Sequence, residues 1–281
     1  MKRLIFILLA SALVACQGTE ADIPEDRLVV EAWICSGEPP VVQLSTSLYP
    51  TEDEQGMEEI EAHILRRARV TVSDGEREVS LTGMYKKGYL PPYIYTTGYL
   101  RGEVGKTYTL TVDASDYHAT ATATIPEPVP LTSLEPQAYG QSDTTWLLRA
   151  RFRDRPGEHN YYKAFSRIHK VDSTYLPTRM SLVNDEVIDA SQPETEVLLM
   201  PGGGLFNTIE QRSCYYSGET VFVRFCTMTR EMADVWQAYD SEAVHGGFPI
   251  LSTPVNVPGN VDGALGYFAG YGSVVQKITL P

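Results

Sequence analysis

The sequence predicts an all-β protein: an N-terminal immunoglobulin-like β-sandwich followed by a second β-rich domain that carries one helix. Three observations lead there. Over residues 27–125, about seven or eight short runs rich in Val, Ile, Thr and Tyr recur between turn signals, the pattern of an immunoglobulin-like sandwich. Pro126-Glu127-Pro128-Val129-Pro130 then denies donors to any central strand and favours extended polyproline geometry, so 126–130 reads as a semi-rigid spacer. Strand patterns resume over 131–281, together with a single amphipathic helix pattern.

Leu28-Val29-Val30-Glu31-Ala32-Trp33-Ile34 reads as the first strand, and Gly37-Glu38-Pro39-Pro40 turns the chain into a second at Val41-Val42-Gln43-Leu44-Ser45-Thr46-Ser47. The acidic run from Glu52 to Glu61 lacks the Asp-x-Asp-x-Asp-Gly spacing of a calcium loop and reads as solvated loop. Arg69-Val70-Thr71-Val72 meets Ser73-Asp74-Gly75, a hairpin signal, and returns through Glu78-Val79-Ser80-Leu81. Tyr93-Ile94-Tyr95, then Thr107 to Val112, then His118 to Ile125 continue the pattern. In the second half, Thr145 to Phe152, Asn160 to Ile168, Glu196 to Met200 and Thr220 to Cys226 read as strands. Tyr267 to Leu280 reads as strand broken by glycine. Thr229 caps the helix, whose apolar stripe is Met232, Val235, Trp236 and Tyr239, ending near His245-Gly246-Gly247.

Residues 1–15 read as a lipoprotein signal peptide. Lys2 and Arg3 precede an apolar run from Leu4 to Val14, too short for the roughly 20 residues that span a bilayer. Leu13-Val14-Ala15-Cys16 has the lipobox pattern, in which the Cys16 thiol receives the lipid and becomes the mature N-terminus. Acyl chains on that residue give stable membrane anchoring, at about 0.8 kcal/mol per buried methylene. Residues 16–26 are polar and acidic and read as a flexible tether. The expected destination is the outer membrane, with the surface and periplasmic faces both open.

The net charge of −13 argues against nucleic acid and against electrostatic adsorption to an anionic bilayer. With Cys16 acylated, Cys35, Cys214 and Cys226 remain, and they read first as buried, small apolar residues. A tight hairpin at Ser217-Gly218 would set Cys214 opposite Val221, so a Cys214–Cys226 bridge needs another register.

Six segments carry a family resemblance. They are Leu28 to Ile34, Ala68 to Asp74, Gly105 to Leu110, the Ile125 to Pro130 spacer, Asp154 to Tyr162 with its Pro-Gly-Glu-x-Asn-Tyr-Tyr, and Pro254 to Phe268. In this order they resemble a Bacteroidota lipoprotein family known only as a domain of unknown function, departing from it at Val261-Asp262-Gly263-Ala264, where a glycine pair is usual. The resemblance implies an outer-membrane lipoprotein encoded beside TonB-dependent transporters. It supplies no catalytic residues.

The residues themselves show no Gly-x-Ser-x-Gly, no His-Glu-x-x-His and no Cys-x-x-Cys, and the five histidines are dispersed. The glycine run Gly202-Gly203-Gly204 lacks the Lys-Ser/Thr of a phosphate loop and reads as a flexible loop. Asp154 and Glu158 are the nearest carboxylate pair for glycoside chemistry, but 36 acidic residues make chance pairs common. The expectation is therefore no catalytic residue, no metal and no cofactor. Tyr85, Tyr89, Tyr93, Tyr95 and Tyr99 are the candidate ligand-binding residues, through stacking on sugar faces; a strand pair with one wet face uses tyrosine in the same way. The sequence thus supports a non-catalytic accessory or ligand-capture partner of a TonB-dependent nutrient transporter. The alternatives are a stand-alone surface adhesin that binds a glycan or peptide, and a hydrolase of unrecognised site.

Overall fold

The computed structural model describes residues 26–47, 61–155, 159–179, 181–184, 194–202, 212–244 and 258–281. The first half supplies β1 (Leu28–Cys35), β2 (Val41–Thr46), β3 (Arg69–Ser73), β4 (Glu78–Ser80), β5 (Thr82–Tyr85), β6 (Tyr93–Thr96), β7 (Thr107–Ala114) and β8 (Tyr117–Thr124). The second supplies β9 (Leu131–Ala138), β10 (Thr145–Phe152), β11 (Tyr161–Ile168), β12 (Leu176–Pro177), β13 (Val183–Asn184), β14 (Thr195–Leu199), β15 (Tyr215–Tyr216) and β16 (Thr220–Met228). After these come the helix α1 (Arg230–Val244), β17 (Val261–Asp262) and β18 (Leu265–Thr279). The fold is all-β with one helix among the described residues, its sheets packed face to face in two layers.

Alternation builds each layer. In β1, Leu28, Val30, Ala32 and Ile34 point into the first core, where they meet Val70, Val72, Tyr108, Leu110 and Val112 from the facing sheet β17-β8-β7-β3-β4. In the second core, Val221, Val223 and Phe225 of β16 pack with Tyr162 and Ala164 of β11 against Leu148, Ala150 and Phe152 of β10. The Phe152, Tyr162 and Phe225 rings lie with centroids 4.7 to 5.4 Å apart.

One strand belongs to both cores. Leu265 to Tyr271 of β18 run parallel to β1, and Gly272 to Thr279 run antiparallel to β16, so one nine-stranded sheet backs both sandwiches. Phe268 is buried in the first core, while Val274 and Ile278 pack on the second. β17 pairs with β8, so residues 261–271 come late in the chain yet complete the first core.

The glycines expected to break this strand do not break it. They let another segment cross close above it. A Cβ on Gly270 would collide with the Thr124 carbonyl, and one on Gly272 with the Pro126 carbonyl. The crossing segment is the proline spacer, which packs at both ends: Ile125 is buried in the first core and Val129 in the second. The Val129 N–H donates to Thr227 Oγ1 at 3.2 Å, and Arg155 Nη2 donates to the Pro128 carbonyl at 2.9 Å. Spacer and strand together make two connections between the cores.

Candidate functional site

The sheet's other face is where charge is buried. Because side chains alternate, Val29, Glu31, Trp33 and Cys35 of β1 turn away from the first core, as Tyr161, Lys163 and Phe165 do in β11, and Arg224, Cys226 and Met228 in β16. α1 lies across the middle of this face as a third layer. Its Met232, Val235 and Trp236 pack with Tyr161, Cys226, Met228, Ala269 and Tyr271. Trp236 Nε1 donates to the Tyr271 hydroxyl at 2.8 Å, and Phe165 meets the Trp236 ring edge-on at 5.4 Å.

Lys163 is fully buried beneath the helix. Its Nζ donates to both carboxylate oxygens of Asp240, at 2.8 and 3.0 Å, and sits 5.2 Å from the Trp236 ring centroid. Burial pulls the ammonium pKa down and the Asp240 charge opposes that pull. Asp240 follows Met232 and Trp236 at helical spacing, which is why it reaches the sheet face.

Glu31 is 8% exposed and lies between Gln43 of β2 and Tyr267 of β18. The Gln43 amide is committed to the Pro91 carbonyl at 2.7 Å. Burial pushes the Glu31 carboxyl up to about 8, so at neutral pH it is largely a neutral acid. Burial likewise pushes the Cys35 thiol up to about 12 and the Cys226 thiol well above its usual range. Burial thus favours the protonated thiol at both positions at neutral pH. Cys35, Cys214 and Cys226 are all buried and unbridged.

Beyond α1 the same face opens and becomes cationic and aromatic. Arg167, Phe222 and Lys277 form one cross-strand row over β11, β16 and β18, with the Arg167 guanidinium 4.5 Å from the Phe222 ring centroid. One row nearer α1, Arg224 lies 3.9 Å from the Tyr175 ring, while its Nη2 donates to Glu38 at 2.5 Å and its Nη1 to Cys35 Sγ at 3.6 Å. Arg224 is thus committed to its neighbours, whereas the Arg167 guanidinium over an aromatic face leaves donors available to an anionic group approaching from solvent.

The five candidate tyrosines do not form one exposed surface: Tyr85, Tyr93 and Tyr95 share a face of β5 and β6, while Tyr89 and Tyr99 lie elsewhere. Tyr95 is a core residue whose hydroxyl donates to the Leu65 carbonyl at 2.7 Å, and Tyr93 packs edge-on against it at 5.5 Å. Tyr89 stacks on Trp33 with centroids 6.1 Å apart, on the face that carries Glu31. Tyr85 and Tyr99 are 67% and 83% exposed, but Tyr85 pairs with Tyr93 at the start of β6 and Tyr99 lies beyond its end. The histidines are also apart. His63 Nδ1 lies 2.6 Å from Thr46 Oγ1, His118 Nδ1 lies 2.7 Å from Asp113, and His169 packs near Phe222.

Among the described residues, no group of three or more His, Cys, Asp or Glu side chains is placed to hold a metal ion. Asp154 accepts from the Tyr162 hydroxyl and from Asn160. Its sequence partner Glu158 lies outside the described residues, as do the lipobox with Cys16, Glu52 to Ile60 of the acidic run, Gly203-Gly204 and His245.

Sequence reasoning missed the buried ion pair. Two signals pointed to it: a lysine inside the otherwise apolar run from Tyr161 to Phe165, and an aspartate eight residues after Met232 on the helix's apolar stripe.

Fold and site together define an all-β double sandwich whose outer face is partly covered by a helix. The chain belongs to the family described as Domain of unknown function (DUF4249), whose model matches residues 17–277. No curated protein matches the chain. Among solved structures it is similar to a two fibronectin type-III domain segment from chicken tenascin. The identity is 9%, covering 91% of this chain and 99% of that chain, with a TM-score of 0.23, a likeness too distant to bear on fold or function.

Proposed function

We propose that the chain is a non-catalytic lipoprotein of a Bacteroidota outer membrane, anchored through Cys16, that works by contact as an accessory or ligand-capture partner of a TonB-dependent nutrient transporter. The observation that carries this reading is the lipobox Leu13-Val14-Ala15-Cys16 followed by an acidic tether. Two further observations support it. The family match begins at Gln17, directly after the lipobox cysteine. The Asp26 carbonyl, at the tether's end, accepts from the Tyr117 hydroxyl at 3.0 Å beside the β7–β8 hairpin. β18 leads from that end of the first core into the second, a run of roughly 50 Å. An anchored protein of this form holds its second sandwich well away from the lipid.

Affinity recovery of tagged protein from detergent-solubilised outer membrane tests the reading, with Cys16→Ala as the companion. Wild type should fractionate with the outer membrane and co-purify a TonB-dependent transporter, and Cys16→Ala should appear as soluble or uncleaved protein. Unchanged membrane residence of Cys16→Ala contradicts the anchor. Recovery of wild type with no such transporter, under conditions that keep known complexes intact, contradicts the partnership.

A further inference from the structure

We infer that the free edge of β18, at Val275, Lys277 and Thr279, is a docking site for an extended segment of another protein whose residues alternate acidic and apolar. The ladder fixes which backbone groups are free. Leu280 N donates to the Glu219 carbonyl at 2.9 Å, and Gly218 N donates to the Leu280 carbonyl at 3.1 Å. Leu280 and every second residue before it therefore bond toward β16, and the residues between them point the other way. Lower on that outward side the positions are filled: Ser36 N donates to the Tyr271 carbonyl at 2.9 Å, and Ser273 N donates to Ser36 Oγ at 2.9 Å. β1 ends at Cys35, and above Ser273 no described strand pairs with this edge; β9 comes near it on the inner face, where Gln276 Nε2 donates to the Leu131 carbonyl at 3.1 Å. Val275 is 47% exposed, and Lys277 and Thr279 are exposed too.

The side chains specify the occupant. On the outer face an added strand would lie beside Lys277, next to Phe222 and Arg167. Among the described residues neither Lys277 nor Arg167 is ion-paired to a carboxylate, in a chain of net charge −13. On the inner face Val274, Ile278 and Leu134 are only partly buried at the second core's flank, so apolar residues there would complete it. Strand addition draws affinity from main-chain bonds and specificity from alternate side chains, and this edge calls for acid on one face and apolar residues on the other. A second copy fits poorly. Antiparallel self-pairing about Lys277 sets Lys277 against Lys277, which is destabilising. The inference rests on the chain being a contact module; it does not depend on the anchor or on the partner's identity.

The test is fluorescence anisotropy of a labelled Glu-Val-Glu-Val-Glu-Val-Glu peptide with the mature chain in detergent, alongside amide hydrogen exchange. Saturable binding should appear below millimolar concentration, with exchange slowing at Val275, Lys277 and Thr279. Val275→Pro removes an outward N–H without touching the β16 ladder, and Lys277→Glu reverses the charge at an exposed position. Each should weaken binding tenfold or more at unchanged melting temperature. No binding at 1 mM (on the order of 4 kcal/mol), binding within twofold of wild type in both variants, or sedimentation showing a dimer joined through this edge would overturn the inference. If wild type and Val275→Pro recover a transporter equally well, the edge falls while the proposed function stands. If the peptide binds and no transporter is recovered, the reverse holds.

Discussion

Glu31 ties stability to pH with a defined sign. Its folded pKa of about 8 lies above the ordinary carboxyl value of 4.5, so between those values the folded chain keeps a proton that the unfolded chain has lost. Stability is therefore unpenalised below the unfolded pKa, falls as pH rises through the window, and carries the full penalty above about 8. Denaturant unfolding at several pH values should show this slope. Glu31→Gln should flatten it and gain up to roughly 3 kcal/mol at pH 7; a variant with the wild-type slope contradicts the assignment. Lys163 and Asp240 are the second test at this scale. Asp240→Ala strands a fully buried ammonium and should cost on the order of 3–5 kcal/mol by equilibrium unfolding, whereas Lys163→Met leaves a partly exposed carboxylate and should cost less. Neither residue was legible as a partner of the other, because their 77-residue separation is closed only by the helix lying on the sheet.

The elements were legible wherever their causes are local. Ser73-Asp74-Gly75 announces a hairpin, and the structure pairs Val72 with Val79 around it. Asp74 Oδ1 accepts from the Glu76 and Arg77 N–H groups at 3.1 and 3.0 Å, and Gly75 takes a φ of +86°. Those backbone bonds hold the Asp74 pKa below its usual value. The helix was legible from its stripe and its cap, since the Ala233 N–H donates to the Thr229 carbonyl at 3.1 Å. β18 was not legible as one strand. Its glycines answer to a segment more than 140 positions earlier, and local reading of glycine in a strand pattern favours a break or bulge. Gly272→Val therefore tests the crossing. A side chain there meets the Pro126 carbonyl and should cost more than about 3 kcal/mol in thermal or denaturant unfolding, while Gly98→Ala, with open space at its Cβ, should stay within about 0.5 kcal/mol. Near-equal stability of the two variants would mean that the spacer does not lie against the strand. The candidate tyrosines were the opposite case: they lie close in sequence, and Tyr85, Tyr93 and Tyr95 share one face of β5 and β6, but Tyr95 is taken up by the first core and Tyr89 stacks on Trp33 of the other face.

At the scale of the molecule, the expectation of two β-units on a semi-rigid joint meets a more tightly connected architecture. The nine-stranded sheet runs through both sandwiches, β18 contributes Phe268 to one core and Ile278 to the other, and the spacer is held at its two ends by Ile125 and Val129. Unfolding either sandwich alone would strip half of β18 from its partners. The cores should therefore open together, which also fixes the distance between the start of β1 and the exposed β18 edge. Differential scanning calorimetry of the mature chain measures this coupling most directly. The expected result is one transition whose calorimetric and van't Hoff enthalpies agree. Two resolved transitions, or a calorimetric enthalpy well above the van't Hoff value, would show two independently folding units and contradict the shared strand as the element that unites them.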